Sequence, residues 1–473
     1  MNIVFYDISY ENVGLQILAA ILRRNNYPVT IIYKPIDTFN FMKGFSSKHS
    51  IDKAVEQILN HKPDIVGFSL FSFTYPVYRE ISRKIKLLNN KIIVLFGGIH
   101  ATLSGKQIME DDFVDFMIMG EAEDAILELL DSLQAKKDHH QIKNLCYREN
   151  GNIYVNPLRP YIRNLDRLPI PDKSEYYKKH PFLGIRYHIM ATRGCFFRCT
   201  YCSNNALQKR YNFEKNHIRY RTPDHVIKEL IIAKEKYHPK TIYFIDDLFT
   251  SNKEWLTEFS FYYHKKINIP VECLTHPIFI TDEIADLLKI MDTRIVGLGI
   301  QTADEYLRKT ILNRHELNKD VQNAIQILKE KKIMVSIDHI FGFPGETKES
   351  IIHSIKTYSN WNPKAISINW FECLPNTDII YIALDKYGKS AESFDEKNKK
   401  KYIKYELLMN LIGLIPGRMV QYFANNIKMF PASRFMLIFL YAFSHVFLIR
   451  RPWVMAFILQ MIKNKFNSSY INN

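Results

Sequence analysis

Short runs of apolar residues alternate with amphipathic stretches along the first 135 residues of the chain. A helix is predicted at 14–25, where leucines recur at helical spacing. The strands predicted from the apolar runs are 3–6, 29–33, 65–71, 91–96 and 113–119. Because short apolar strands separated by helices form parallel sheets, residues 1–135 are predicted to be an α/β domain with a doubly wound parallel sheet. Sheets of this kind bind ligands beyond the carboxyl ends of their strands.

A second alternation of strands and helices runs from 181 to 385. The strands predicted there are 187–191, 241–245, 271–274, 295–300, 334–341 and 365–371. Six parallel strands with intervening helices indicate a partial (β/α)6 barrel, with its site at the carboxyl ends of the strands. Between the two regions, residues 136–180 include a proline-rich stretch and are predicted to be a linker.

The last region, 386–473, is predicted to be a helical extension. Its apolar runs, flanked by Lys and Arg, are 407–415, 435–449 and 454–462. The longest run is shorter than the roughly 20 residues that span a bilayer. Basic flanks beside apolar helices favour peripheral docking on an anionic membrane, and a helical cap packed on the barrel explains the pattern equally well.

Composition narrows the class of protein further. Hydrophobic residues make up 47% and charged residues 24%, which is typical of a globular chain. The 64 Lys and Arg against 49 Asp and Glu give a net charge of +15, which favours anionic partners. No secretory leader is recognised, so a cytoplasmic protein is expected, peripheral on the inner face of the membrane if the last region docks there. No nucleic-acid partner is expected, because no recognition module is seen.

Three of the six cysteines, Cys195, Cys199 and Cys202, lie within eight residues, directly after the first predicted barrel strand. In a chain that is not secreted, such crowding favours a metal site over disulfides. Three thiolates on one loop can ligate three irons of a cubane cluster and leave the fourth iron open. Zinc is the alternative, although it needs a fourth ligand at compact spacing. A chance cluster is less favoured, because the other three cysteines are scattered.

The segment 190–204 resembles the CxxxCxxC signature of the radical S-adenosylmethionine (SAM) superfamily. The resemblance implies a [4Fe–4S] cluster held by Cys195, Cys199 and Cys202, with SAM bound at the open iron. It also implies reductive cleavage of SAM to a 5′-deoxyadenosyl radical that takes hydrogen from an unactivated carbon. The electron is expected from a donor such as flavodoxin or ferredoxin.

Later segments resemble the same superfamily in order. The residues that match its SAM contacts are Asp246, Asp247, Gln301, Gly342, Pro344 and Gly345. A carboxylate of the acidic pair is expected to meet the SAM ammonium, and capping of the following helix is the alternative. Gln301 stands where Glu-Ser is more usual, so it keeps hydrogen-bonding capacity but loses charge. Asn376, in the sixth-strand loop, is expected to take the left-handed backbone in place of glycine.

The N-terminal domain resembles the cobalamin-binding domain of one radical SAM branch, which contains class B methyltransferases and anaerobic cyclases. The residues expected to contact cobalamin are Ser69, Gly97, Gly98, His100, Thr102 and Glu121. From the residues alone, a tight turn explains the two glycines, and a hydrogen-bonded loop histidine explains His100. Standard domains carry Asp-x-His-x-x-Gly after the first strand. Residues 7–12 offer no histidine, so cobalt is expected to have no histidine ligand from that loop.

The leading hypothesis is a radical SAM enzyme that methylates an unactivated carbon of a small-molecule or lipid-like substrate. In this hypothesis SAM methylates cobalamin, and the adenosyl radical prepares the substrate carbon. The alternative within enzymes is an anaerobic oxidative cyclase or a C–C coupling enzyme of similar architecture. The alternative of another class is an iron–sulfur electron carrier or scaffold, which would not require the glycine-rich turn at 342–345.

Overall fold

The chain divides into two compact units in a computed structural model. The described residues are 1–9, 11–34, 48–212, 218–391 and 396–430. The first unit comprises Met1–Pro181, Ala206–Arg219 and Leu374–Asn376. The second comprises Phe182–Asn205, Tyr220–Cys373 and the residues from Thr377 on. The apolar runs predicted at 435–449 and 454–462 lie outside the described residues.

The first unit is built on a seven-stranded sheet of order β2-β1-β3-β4-β5-β6-β7. Its strands are β1 (Ile3–Asp7), β2 (Val29–Tyr33), β3 (Ile65–Ser69), β4 (Ile93–Gly97), β5 (Phe116–Ile118), β6 (Leu145–Glu149) and β7 (Asn152–Val155). Its helices are α1 (Val13–Arg24), α2 (Lys48–Asn60), α3 (Tyr75–Leu88), α4 (Gly98–Ser104), α5 (Glu123–Ala135) and α6 (Ser174–Lys179). The first five strands pair in parallel, which confirms the predicted α/β sheet.

Residues 136–180, predicted as a linker, contribute two strands to this sheet. β6 pairs antiparallel with β5, and β7 pairs antiparallel with β6. Cys146 of β6 pairs with Met117 and is fully buried in the core. The sequence pattern misses this hairpin because its outer strand is mostly exposed and therefore lacks a clear apolar run.

The second unit is built on a six-stranded parallel sheet of order β15-β14-β13-β12-β11-β8. The strands are β8 (Arg186–Ile189), β11 (Thr241–Phe244), β12 (Val271–Thr275), β13 (Thr293–Gln301), β14 (Met334–Phe341) and β15 (Ala365–Trp370), with short β9 (Thr192–Arg193) and β10 (Arg219–Tyr220) between the first two. β8 and β15 do not pair with each other, so the barrel is partial, as predicted.

Helices follow most of these strands. They are α7 (Ser203–Arg210), α8 (Pro223–Tyr237), α9 (Lys253–Lys266), α10 (Asp282–Ile290), α11 (Glu305–Thr310), α12 (Asn318–Glu330), α13 (Lys348–Trp361), α14 (Asp378–Tyr387), α15 (Glu396–Asn410) and α16 (Gly417–Asn425). The predicted helical extension is thus present in α15 and α16. Within the described ranges, every helix is too short or too polar to cross a bilayer.

The strands of the second unit have one face toward the helices and one concave face. Residues of β14 alternate between buried and partly exposed. The buried His339 contacts Tyr358 of α13 through Nδ1, 3.1 Å from the hydroxyl oxygen. The partly exposed Ser336, Asp338 and Ile340 therefore lie on the concave face.

The amino end of the concave face is filled by an ion pair. Arg186 of β8 pairs with Glu272 of β12, with Nη2 2.5 Å from Oε2. The guanidinium lies 3.5 Å above the ring of Tyr243, on the strand between them. These three side chains form a floor across β8, β11 and β12.

Candidate functional site

The three clustered cysteines lie on a loop between β9 and α7. Cys199 is buried, whereas Cys195 and Cys202 are partly exposed. Burial raises the pKa of Cys195 to about 12 and that of Cys202 to about 11, and the neighbouring thiols add to both shifts. Metal binding would deprotonate the three thiols. Their number and their spacing along one loop match three iron ligands of a [4Fe–4S] cluster.

The backbone of this loop is fixed by neighbouring elements of the second unit. Thr200, which follows Cys199, donates from its backbone nitrogen to the Leu312 oxygen at 3.2 Å. Its hydroxyl donates to the Ile311 oxygen at 2.5 Å. The Ile379 nitrogen, at the start of α14, donates to the Thr200 oxygen at 3.0 Å. The loop is thus held in place by hydrogen bonds that need no metal.

Asp246 supports the chain that leads into the cysteine loop. Its carboxylate accepts hydrogen bonds from the Ala191 nitrogen at 3.2 Å and from the nitrogen and hydroxyl of Thr192 at 2.5 and 2.6 Å. Burial raises the pKa of Asp246 to about 6, and these hydrogen bonds oppose the shift. Asp246 is therefore engaged in tying β11 to the turn after β8.

Asp247, by contrast, is exposed at the carboxyl end of β11. It accepts a hydrogen bond from Asn204 Nδ2 at 2.9 Å. The following helix α9 is capped by Asn252, whose side chain accepts from the Trp255 nitrogen. Helix capping thus does not explain the acidic pair, and Asp247 is the member of the pair with its carboxylate open to a ligand.

Gln301 ends the central strand β13 with a φ of +71°. Its amide folds back over Gly299, where an added Cβ would lie 3.0 Å from Gln301 Nε2. Gly299 pairs with Asp338 of β14, which lies on the same concave face. The predicted contact of Gln301 with SAM stays a prediction, and Asp338 is a second polar group beside it that the sequence did not indicate.

The turn after β14 carries Gly342, Pro344 and Gly345. Gly342 and Gly345 have φ values of +92° and +83°, a region that favours glycine. A Cβ on Gly345 would lie only 2.0 Å from the Tyr387 hydroxyl oxygen. The turn is closed by Glu346, whose Oε2 accepts from the Gly342 nitrogen at 2.7 Å.

Glu346→Gln is expected to change the pH dependence of stability. Burial raises the pKa of Glu346 to about 8 from 4.5. The pKa of this carboxyl group is higher in the folded protein than in the unfolded protein. Its contribution to stability is therefore fully present below the unfolded pKa and is lost as the pH rises from the unfolded to the folded pKa. The free energy of unfolding of the glutamine variant should therefore rise relative to wild type, on the order of 4 kcal/mol, between about pH 5 and pH 8 in urea denaturation. A difference in the free energy of unfolding between the two proteins that does not change with pH would contradict this.

Arg314 is a candidate functional residue that the sequence analysis missed. Its Nη1 lies 3.9 Å from Cys199 Sγ, and its Nη2 donates to the Gly299 oxygen at 2.5 Å. Its Nε donates to Glu316 at 2.8 Å. Burial alone would raise the pKa of Glu316, but His276 and Arg314 lower it to about 2. A charged guanidinium thus lies beside the cysteine loop, where it can pair with a carboxylate of a bound ligand.

In the first unit, the carboxyl ends of β3 and β4 approach closely. Gly97 ends β4, and Gly98 begins α4 with a φ of +90°. A Cβ on Gly98 would lie 2.8 Å from the Leu70 nitrogen and 2.9 Å from Ser69 Oγ. Glycine is therefore required by the fold itself, and the backbone stays bare at the edge where a parallel sheet binds its ligand.

His100 is held by hydroxyl groups on both ring nitrogens. Ser72 Oγ lies 2.8 Å from Nδ1 and Ser104 Oγ lies 3.4 Å from Nε2, and the ring packs on Tyr75 at 4.7 Å. Burial lowers the pKa of His100 to about 4, so the ring is neutral at pH 7. These contacts favour the hydrogen-bonded loop histidine over a ligand contact.

Thr102 and Glu121 also have partners within the unit. The Thr102 hydroxyl donates to the Gly98 oxygen and accepts from the Gly120 nitrogen, both at 2.8 Å. Glu121 accepts from the Ile162 nitrogen at 2.7 Å and pairs with Arg219 at 2.7 Å. Both side chains hold strand-end loops in place, and their contact with cobalamin stays a prediction.

The end of β1 carries no histidine among its described residues. Asp7 is buried and accepts hydrogen bonds from Ser9 Oγ at 2.6 Å and from the Tyr176 hydroxyl at 2.7 Å. The carboxylate that precedes the usual histidine is thus engaged by a serine and by a tyrosine of α6. A corrin bound at this edge would receive no imidazole ligand from the loop.

Two family profiles match the chain in the order that the fold shows. The B12 binding domain matches residues 7–130, and the Radical SAM superfamily matches residues 189–358. An uncharacterized methyltransferase of Pyrococcus horikoshii is 28% identical over 353 residues, covering 72% of both chains. The anaerobic magnesium-protoporphyrin IX monomethyl ester cyclase of Rubrivivax gelatinosus is 22% identical, covering 84% of this chain and 71% of the cyclase.

Among solved structures, the radical SAM methyltransferase TsrM from Kitasatospora setae, with cobalamin and a [4Fe–4S] cluster bound, shares the fold. Its TM-score is 0.64 at 16% identity, covering 81% of this chain and 75% of TsrM. The protein therefore belongs to the radical SAM superfamily and carries a B12-binding domain ahead of the radical SAM domain. The predictions of a radical SAM enzyme and of a [4Fe–4S] cluster, SAM and cobalamin as cofactors are confirmed. Zinc and the simple electron carrier are thereby set aside.

Proposed function

We propose that this enzyme transfers a methyl group to an unactivated carbon of a small molecule. One observation carries the proposal: the cysteine loop and a cobalamin-type sheet without a first-strand histidine occur in the same chain. When bound, the cluster and SAM supply a carbon-centred radical, and cobalamin supplies the methyl group. The similarity to the methyltransferase of Pyrococcus horikoshii supports this assignment.

The chain's own residues would bind the cofactors and limit the depth of the site. Cys195, Cys199 and Cys202 would hold the cluster, and Asp247 with Gln301 would bind SAM by its polar groups. The floor at the amino end of the half-barrel, formed by Arg186 and its partners, limits how deep a reactant can lie. Substrate is thereby kept toward the carboxyl ends of the strands, where the cysteine loop also lies.

The deciding experiment is anaerobic reconstitution with SAM carrying a deuterated methyl group, followed by mass spectrometry of products formed from a cell extract. A methyltransferase gives products heavier by the labelled methyl group. The cyclase alternative is favoured by the similarity to the enzyme of Rubrivivax gelatinosus, and it predicts products that have lost hydrogen and carry no label. If SAM is cleaved but the products carry no label, the methyltransfer proposal is wrong and the cyclase alternative takes its place.

Cobalamin is expected to bind without a protein nitrogen on cobalt. The reduced, cobalt(II) form bound to the protein should show no splitting from a protein nitrogen in electron paramagnetic resonance. Uniform 15N labelling of the protein, which alters the splitting from a protein nitrogen but not that from the cofactor's own benzimidazole, distinguishes the two. His100→Gln should leave that spectrum unchanged, because both ring nitrogens are already engaged by serines. Gly98→Trp should lower retained cobalamin at least tenfold in gel filtration, since any Cβ there meets Leu70. Nitrogen splitting that disappears in His100→Gln would show that His100 is a ligand of cobalt.

A membrane-dissolved substrate and a peripheral, cytoplasmic location are part of the same proposal. At the C-terminal end of the described chain, Met419, Tyr422 and Met429 are 47%, 50% and 62% exposed. Arg418 and Lys428 stand beside them in sequence. Apolar side chains flanked by basic residues suit an anionic lipid surface, where each basic residue adds about 1 kcal/mol.

Flotation with vesicles tests this location. The full chain is expected to float with vesicles that contain anionic lipid at low salt and to float less at high salt. The double variant Met419→Ser/Met429→Ser should float several-fold less, since each buried apolar side chain contributes about 1.5–3 kcal/mol. Phe261→Ser, on the exposed side of α9, is the matched control. Equal flotation of all three proteins would remove Met419 and Met429 from the membrane contact.

A further inference from the structure

Two helices of the second unit expose large apolar side chains to solvent. Tyr306 of α11 is 70% exposed, and Tyr381 and Leu384 of α14 are 63% and 62% exposed. The helices contact each other, because Lys386 Nζ donates to the Thr310 oxygen at 3.3 Å. We call the exposed sides of these two helices the α11–α14 face. Exposed tyrosines and leucines in a polar surround are typical of protein–protein interfaces.

The buried sides of the same helices contact the cysteine loop. The Thr200 nitrogen donates to the Leu312 oxygen, just after α11, and the Ile379 nitrogen of α14 donates to the Thr200 oxygen. Leu307 of α11 and Ala383 of α14 belong to one apolar cluster, against which Tyr201 packs. A single layer of helix therefore separates the α11–α14 face from the loop that holds the cluster.

Lysines outnumber carboxylates by three to two among the exposed charged residues of the face. Lys309, Lys386 and Lys389 are exposed, and the exposed carboxylates are Glu305 and Asp385. Glu305 accepts from the Asn318 nitrogen at 2.5 Å, so part of its charge is engaged within the chain. A basic rim around an apolar centre, on a chain of net charge +15, is complementary to an acidic partner.

We propose that the α11–α14 face is the docking surface for the electron donor, a small acidic protein that carries one electron on a flavin or an iron–sulfur centre. One electron leaves the reduced donor and enters the oxidised cluster held by Cys195, Cys199 and Cys202. No bond is made or broken in this step, and no proton is required. The inference rests on the cluster of the proposed function and not on methyl transfer.

The test is anaerobic stopped-flow reduction of the reconstituted enzyme, followed by the loss of cluster absorption. Reduced flavodoxin and reduced ferredoxin are used as the protein donors, and dithionite is the small reductant that needs no docking. Lys309→Glu/Lys389→Glu should slow reduction by protein donors at least tenfold at low salt, with the difference shrinking as salt rises. Leu384→Ser should slow it several-fold at every salt concentration.

Both variants should be reduced by dithionite at the wild-type rate and melt at the wild-type temperature, because the three replaced side chains are exposed. Phe261→Ser/Lys265→Glu, an equivalent change on the exposed side of α9, should leave all rates unchanged. Wild-type rates with both protein donors in both variants would overturn the inference. A drop with one donor only would identify that donor as the partner.

Two further outcomes separate this inference from others. If the reconstituted wild-type protein holds no iron or sulfide and shows no cluster absorption, no redox cluster is present and the proposed function itself fails. If light scattering shows wild-type dimers that Leu384→Ser dissociates, while electron transfer is unchanged, the face joins two copies of the chain and the donor assignment is overturned.

Discussion

The Cys199→Ala protein is expected to bind no stable [4Fe–4S] cluster and to cleave no SAM, and the same result is expected for Cys195→Ala and Cys202→Ala. Each thiolate holds one iron, and a cubane with two protein ligands and an accessible open side is readily lost. Iron and sulfide content, electron paramagnetic resonance of the reduced protein and mass spectrometry of 5′-deoxyadenosine measure the loss.

Cys373→Ala is the matched control for these variants, because Cys373 is a partly exposed cysteine of the same unit outside the loop. It should keep full iron content and the wild-type resonance. A full cluster in Cys199→Ala would show that the loop does not hold the cluster. Loss of the cluster in Cys373→Ala would show that Cys373 is a further cluster ligand.

Arg314→Met is expected to lower the free energy of unfolding of the metal-free protein by about 3 kcal/mol. The variant removes the closest positive charge from Glu316, which is buried and ionised. Leaving a buried carboxylate without its partner destabilises the fold by more than the ion pair stabilises it. His276 and Arg308 remain near Glu316, at 3.4 and 3.9 Å. Urea denaturation in the absence of metal measures the effect.

Arg314→Lys should lose about half as much stability, because it keeps the charge but not the bonds to both Gly299 and Glu316. Equal stability of wild type and Arg314→Met would mean that Glu316 is sufficiently compensated by its other partners. In the reconstituted protein, loss of the guanidinium beside Cys199 should also lower the reduction potential of the cluster, since a nearby positive charge favours the reduced state.

The site residues that could be predicted best from the sequence are those whose position is set by the local geometry of the chain. The spacing of Cys195, Cys199 and Cys202 places three thiols on one loop in any fold. Gly345 and Asn376 were expected in turns, and both have positive φ values, +83° and +58°. Such positions depend on neighbours a few residues away, which the sequence displays directly.

The sequence could not find residues whose role depends on distant partners. Arg314 meets Cys199 across 115 residues, and no motif surrounds it. Asp246 and Asp247 are adjacent and chemically identical, yet only the structure shows that the first binds the Thr192 backbone and that the second is exposed. For the same reason, the serine partners of His100 were not foreseen.

The Arg186–Glu272 ion pair at the amino end of the half-barrel has a consequence for turnover. Tyr243 lies under the guanidinium, so this end offers no through-passage between the first three strands. Reactants and products are then expected to share the carboxyl-end opening of the half-barrel. Spent nucleoside should therefore compete with fresh SAM for the same entrance, and progress curves should slow as 5′-deoxyadenosine accumulates unless a nucleosidase removes it.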